Sequence, residues 1–147
     1  MNTIERNKSK FKELIEDVIN TGRLDLADRY LTADRPDYQD YGGLPPEMTK
    51  GHEGFKRVLG VFIEAFPDLH LEIEFMIGEG DRVAAYVSTT GTHKGPFLGA
   101  APRGKAFKVN GVDILRFNDE GKVSAHWGAF NTLGMMAQLG IAPARQA

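Results

Sequence analysis

Two residues near the end of the chain have types and spacing that could do acid/base chemistry together, Asp113 and His126. Between Phe107 and Phe117 the odd positions read Phe107, Val109, Gly111, Asp113, Leu115 and Phe117. The even ones read Lys108, Asn110, Val112, Ile114 and Arg116. A period of two with one largely apolar face is the pattern of a half-buried strand. Asn118-Asp119-Glu120-Gly121 supplies a hairpin turn, and the chain returns from Lys122 to Phe130. Closing this hairpin with Phe117 opposite Lys122 sets Asp113 opposite His126 and Gly111 opposite Gly128, all on one face. An apolar surrounding raises the pKa of a carboxyl group toward neutrality, which suits it to take a proton from carbon beside a carbonyl. An imidazole or a phenol can then hold the enolate oxygen. In this reading Asp113 is the base, His126 the donor or proton partner, and Tyr86 or Tyr41 a further donor. The same two residues also read as a structural pair, two polar groups satisfying one another in the core.

The elements that must position this pair follow from the rest of the pattern. Residues 4–21 carry Ile4, Phe11, Leu14, Ile15, Val18 and Ile19 at helical spacing, with Thr3 as a cap and Gly22 as the stop. A short helix is expected over Asp25–Leu31, then an extended piece rich in Tyr and Asp, including Tyr38 and Tyr41, then a breaker loop at 42–46. A third helix from about His52 to Phe66 shows Phe55, Val58, Leu59, Phe62, Ile63 and Phe66 on one side. Residues 70–77 alternate as a strand with Leu71, Ile73, Phe75 and Ile77 on one face, and a long strand follows over 82–93. Asn131 caps a last helix that Gly140 closes. Helices first and a strand meander after them read as one α+β domain over 1–147, with helices on one face of a curved antiparallel sheet. A sheet bent in this way leaves a deep pocket, the usual form of a small-molecule site.

Composition narrows the function classes. With 147 residues, a net charge of -2, 41% hydrophobic and 26% charged residues, the chain fits a globular domain large enough to bury a core. That balance lacks the basic excess a nucleic-acid surface needs. The absence of cysteine excludes disulfides and thiolate metal sites. His52, His70, His93 and His126 show no metal-ligand spacing, so neither metal nor cofactor is expected. There is no membrane-length apolar run, and the first 17 residues mix both charge signs without an apolar signal region, so no membrane partner and a cytoplasmic location are expected. His93, at a strand end between Gly91 and Gly95, is expected to anchor a loop by a hydrogen bond.

The order of several short motifs resembles the SnoaL-like polyketide cyclase (ester cyclase) family. They are GHEGF at 51–55, AFPDL at 65–69, GEGDRVA at 78–84, GTHKGPFLG at 91–99 and PRGK at 102–105. GVDILRFNDEGKVSAHW at 111–127 and LGMMAQLG at 133–140 complete the series, so that the resemblance spans about residues 8–141. It implies the NTF2-like cone, a curved antiparallel sheet wrapped around N-terminal helices with a deep hydrophobic pocket. It also implies cofactor-independent aldol cyclisation or isomerisation of a small hydrophobic carbonyl compound, in a homodimer or larger homo-oligomer built through the outer sheet face. Asp113 and His126 match the family pattern and are the catalytic candidates. Tyr38, Tyr41, Phe62, Tyr86, Gly128, Phe130 and Met135 are the candidates for substrate binding. Trp127, on the face opposite His126, is expected in the oligomer interface. The sequence departs from the family in two places: Gly128 stands where an Asp acts as acid/base, and Tyr38, Gln39 and Tyr41 stand in the stretch where a His is common. The alternative to an enzyme is a non-catalytic small-molecule-binding protein of the same fold.

Overall fold

A computed structural model describes residues 2–33, 38–40 and 46–141. Helix α1 runs over Thr3–Leu14, and its cap is Asn2 rather than Thr3. The Asn2 side chain accepts a hydrogen bond from the Glu5 amide at 2.8 Å. The helical path continues as a wider π turn over Ile15–Ile19, and the short helix expected over Asp25–Leu31 is a 3₁₀ segment at Leu24–Arg29. Helix α2 is Gly51–Ala65 and helix α3 is Thr132–Leu139. The expected ends of α3 are present: Asn131 accepts from the Gly134 amide at 2.8 Å, and Gly140 takes the left-handed conformation at φ 73°. Among the described residues, no helix is long and apolar enough to cross a membrane.

The five strands are β1 (Gln39–Asp40), β2 (His70–Glu79), β3 (Arg82–Thr92), β4 (Ala106–Phe117) and β5 (Val123–Phe130), in the order β1-β5-β4-β3-β2. The meander β2 to β5 is antiparallel as expected. The two-residue β1 adds a parallel pairing to β5 that makes the sheet mixed, with Gln39 beside Ala125 and Asp40 beside His126.

The β4–β5 register differs from the simple hairpin by two residues. Phe117 pairs with Val123, Leu115 with His126, Asp113 with Gly128 and Gly111 with Phe130. The cause is the turn. Asn118 Oδ1 accepts from the amides of Glu120 and Lys122, both at 3.0 Å, and the Asn118 amide donates to the Lys122 carbonyl at 2.8 Å. The loop is thereby longer than the turn residues alone imply, and an irregularity between Arg116 and Phe117 absorbs the remainder. A slip of two keeps every side chain on its face, whereas a slip of one would have inverted the strand.

In β2 the expected face does invert halfway. A bulge falls between Ile73 and Phe75, so that Ile73 opposes Val87 but Phe75 opposes Tyr86. Leu71, Ile73 and Met76 therefore pack on the core, while Phe75 and Ile77, expected inside, are 55% and 64% exposed on the outer face.

Two apolar clusters fill the concave side. The first joins Phe11, Leu14, Ile15 and Val18 of the N-terminal helical run to Val83, Ala85 and Val87 of β3 and to Leu115 and Phe117 of β4. The second joins Ala65 and Phe66 to Phe97, Phe107, Val109, Met135 and Leu139. Side-chain amides fasten the sheet where backbone partners end. Asn20 exchanges two hydrogen bonds with the backbone of Leu71, and Gln138 does the same with Lys108.

Candidate active site

Asp113 and His126 meet on the concave face, as a diagonal pair rather than as direct partners. His126 Nε2 donates to Asp113 Oδ1 at 2.8 Å. The other ring nitrogen is also engaged: His126 Nδ1 donates to Asp40 Oδ1 at 3.1 Å. Asp40 Oδ2 accepts in turn from the Tyr38 hydroxyl at 3.2 Å. A continuous chain of hydrogen bonds thus runs from Tyr38 through Asp40 and His126 to Asp113. Its inner end is closed off, with Tyr38 buried against the rings of His52 and Phe55 and the Asp40 side chain 9% exposed. Its outer end is open, with the Asp113 side chain 27% exposed.

With an acceptor on each nitrogen, the His126 ring carries both protons. Burial alone would lower the pKa of the imidazole. The hydrogen bonds to Asp113 and Asp40, and the charges of those carboxylates, outweigh burial and push it up to about 10. A group whose pKa is raised on folding stabilises the fold fully below its unfolded value near 6.5, and that stabilisation is lost as the pH climbs through about 10. Urea unfolding at pH 7 and pH 10 is therefore expected to show a fall of about 2 to 3 kcal/mol at the higher pH. His126→Gln should remove most of this slope. An equal slope in that variant would place the alkaline transition elsewhere.

Gly128 lies directly across from Asp113, and its missing side chain makes the contact possible. A Cβ there would sit 2.8 Å from Asp113 Oδ1 and 3.0 Å from His126 Nε2, over the middle of the hydrogen bond. Two residues along the same face, the ring of Phe130 meets that of Phe62 from α2, with centroids 5.9 Å apart. Phe62 also meets Phe97, at 5.5 Å. Gly128 thus touches the pair, and Phe62 meets Phe130 two residues farther along β5. The remaining candidates fall elsewhere. Tyr38 is joined to the pair only through Asp40. Tyr86 projects from the outer face, stacked against Phe75 with centroids 5.3 Å apart, because it stands at an even position of β3. Met135 is 1% exposed and belongs to the second core cluster. Tyr41 lies outside the described residues.

Asp40 is the site residue that the sequence alone does not single out. Its strand is two residues long and has no alternating pattern to read, and its role comes from the parallel pairing with β5. Trp127 faces outward, with the guanidinium groups of Arg82 and Arg116 at 5.3 and 6.0 Å from its ring. His93 anchors its loop through its backbone, which pairs with Lys105 and Gly104, while its buried ring has no hydrogen-bond partner among the described residues. An open groove of about 550 Å³ lies where β5 leads into α3, lined by Tyr86, Lys108, Asn110, Val112, Phe130 and Gln138 among others. Neither Asp113 nor His126 borders it. Among the described residues no cluster of His, Asp and Glu converges to hold a metal ion; Asp40, His126 and Asp113 turn their facing atoms toward one another.

The family model for SnoaL-like polyketide cyclases matches residues 10–139. No curated protein matches the chain. Among solved structures, AclR from Streptomyces galilaeus, named as a hydroxylase candidate, is 28% identical. The match covers 97% of this chain and 86% of that one, with a TM-score of 0.80. IdmH from Streptomyces antibioticus, named as a polyketide cyclase candidate, is 27% identical over 92% of this chain and 99% of its own, at a TM-score of 0.76. A SnoaL-like protein from Jannaschia sp. CCS1 shares the fold at a TM-score of 0.83 and 24% identity, with 97% of each chain covered.

Proposed function

Because this chain belongs to the SnoaL-like polyketide cyclase family, we propose that it catalyses cofactor-independent acid/base chemistry on a small hydrophobic carbonyl compound. The reaction class is an aldol ring closure or an isomerisation. The observation that carries this reading is the Asp113–His126 contact on the concave face, with one carboxylate oxygen of Asp113 left for substrate. His126 cannot be the base, since both its nitrogens carry protons. Asp113 Oδ2 takes a proton from the carbon next to a carbonyl, and the electron pair moves onto the carbonyl oxygen as an enolate. Neutral Asp113 is then a poor acceptor, which frees the Nε2–H of His126 to donate to the enolate oxygen. In a ring closure the enolate carbon attacks a second carbonyl, and the new alkoxide takes its proton from Asp113. In an isomerisation Asp113 returns the proton to a different carbon. Phe62 and Phe130 supply the apolar walls. The test is solvent deuterium exchange into β-keto esters and aromatic polyketide esters, followed by NMR, with wild type beside Asp113→Asn.

The second reading, a binding protein without turnover, is favoured by one feature: Gly128 stands where the family resemblance implies an acid/base carboxylate. It requires tight binding of such esters with no exchange at the acidic carbon.

The assembly belongs to the same proposal. The bulge in β2 turns Phe75 and Ile77 outward, beside Tyr86 and the 41% exposed Val112. A row of large apolar groups on one sheet face marks a protein contact, and a second copy of the chain is the occupant proposed. Sedimentation should give a dimer or larger assembly for wild type and a monomer for Phe75→Glu combined with Ile77→Lys. An unchanged mass in that variant would move the interface off this face.

A further inference from the structure

We propose that Asp40 is the positioning residue of the site, fixing the orientation and the positive charge of His126 while a proton moves to and from Asp113. This rests on the acid/base reading of Asp113. The geometry is specific. Asp40 reaches His126 only because the two-residue β1 pairs parallel to β5, which sets the two residues side by side as sheet partners. The flanking chain holds that pairing in place: the Thr32 amide donates to the Val123 carbonyl at 2.9 Å, and the Val123 amide donates to the Tyr30 carbonyl at 2.7 Å. A carboxylate this buried is costly unless its oxygens are matched by donors. Donors reach both oxygens of Asp40, among them His126 Nδ1 and the Tyr38 hydroxyl. Tyr38 is wedged between His52 and Phe55, and His52 is itself fastened, through Nδ1 to Asp28 at 3.1 Å and through Nε2 to the Thr32 carbonyl at 2.6 Å. The carboxylate is thereby held from behind and cannot turn toward substrate. It acts on the reaction only through the ring in front of it.

That arrangement answers a difficulty in the mechanism. When Asp113 takes a proton from carbon, it loses its charge, and one of the two carboxylates that keep His126 protonated is gone. At that moment the enolate oxygen needs the Nε2–H as a donor. Asp40, whose charge does not change during the reaction, keeps the second proton on the ring and keeps the ring plane in place. The charged groups in contact with the ring among the described residues are Asp113 from β4 and Asp40 from β1. Behind Asp40 stand Tyr38 and, from α2, His52. Tyr38 contributes by holding Asp40, and burial with the Asp40 carboxylate beside it pushes its phenol well above the ordinary range, so it stays a donor throughout.

The experiment is Asp40→Asn, which preserves an acceptor for Nδ1–H but removes the charge. Two readouts are taken: the ring nitrogens of His126 titrated by ¹⁵N NMR, and the pH profile of deuterium exchange into a β-keto ester. Titration of the ring is expected to fall clearly below the wild-type value of about 10 in the variant, because the Asp40 charge and its charge-assisted hydrogen bond both raise it. The maximal exchange rate is expected to fall on the order of 10²-fold with KM nearly unchanged, and the alkaline limb of the profile to follow the ring downward. A purely structural Asp40 would leave both the ring titration and the shape of the profile as in wild type, and that result overturns the proposal. An inert wild type would remove Asp113 as a base; the ring titration, which needs no turnover, would still decide whether Asp40 holds His126. Should Asp40→Asn fail to fold, the wild-type spectrum decides. Two protonated ring nitrogens through pH 8, with the Nδ1 proton protected from solvent exchange, support the assignment, and a ring half-titrated near 6.5 overturns it.

Discussion

Asp113→Asn should reduce deuterium exchange into the active ester by about 10³-fold or more, while the variant keeps the wild-type fold. Three features of the site set that size. His126 has no lone pair to offer, because Asp113 and Asp40 each accept from one of its nitrogens. Asp40 is shut in behind the ring by Tyr38. Asp113 is therefore the member of the chain of hydrogen bonds with an oxygen available to substrate. An asparagine in its place can still accept from Nε2–H through its amide oxygen, so the local geometry should survive and far-ultraviolet circular dichroism should not change. The amide cannot take a proton at neutral pH. Exchange by Asp113→Asn at the wild-type rate would place the base elsewhere and reduce the Asp113–His126 contact to a structural pair. No exchange by either protein, with tight binding of the same esters, would establish the binding reading instead.

The legible and the illegible parts of this fold differ for physical reasons. Strong periodicity is local, and it was sufficient for α1, α2, β3, β4 and the helix that Asn131 and Gly140 delimit. The pair Asp113 and His126 was also legible, since strand parity alone put both on the apolar face, and the two-residue register slip left parity intact. The bulge in β2 was not legible. Leu71, Ile73, Phe75 and Ile77 form an unbroken alternation, and only the partner strand, by opposing Phe75 to Tyr86, shows that the last two point outward. Tyr86 was assigned to the site for its chemistry, but its parity places it on the outer face. Asp40 was invisible for a different reason: a two-residue parallel strand leaves no pattern, and its partner lies 86 residues away. The part of the site that was missed is thus the part built by long-range pairing.

Gly128 joins these threads, and Gly128→Ala carries the second large expected effect. From sequence, this glycine reads as the loss of a carboxylate that related cyclases use. In the structure it is the space in which Asp113 and His126 meet, since a Cβ would stand 2.8 Å from Asp113 Oδ1 and 3.1 Å from His126 Cε1. A side chain in that space must displace the Asp113 carboxylate oxygen and press on the His126 ring. An alanine should therefore separate the pair, with three consequences. Leaving partly buried charges without a close partner should cost about 1 to 3 kcal/mol of stability. The His126 ring, reduced to the single close carboxylate of Asp40, should titrate below the wild-type value of about 10. Exchange should fall by about 10- to 100-fold, because the donor no longer sits beside the base. Gly128→Asp then restores nothing: it brings a carboxylate to 128 at the expense of the contact between Asp113 and His126. A carboxylate at 128 and a paired Asp113 are alternative ways to set one base beside one donor, and the proposed mechanism uses the second. Faster exchange by Gly128→Asp than by wild type would reverse that conclusion. It would make position 128, and not Asp113, the place where this fold keeps its working base.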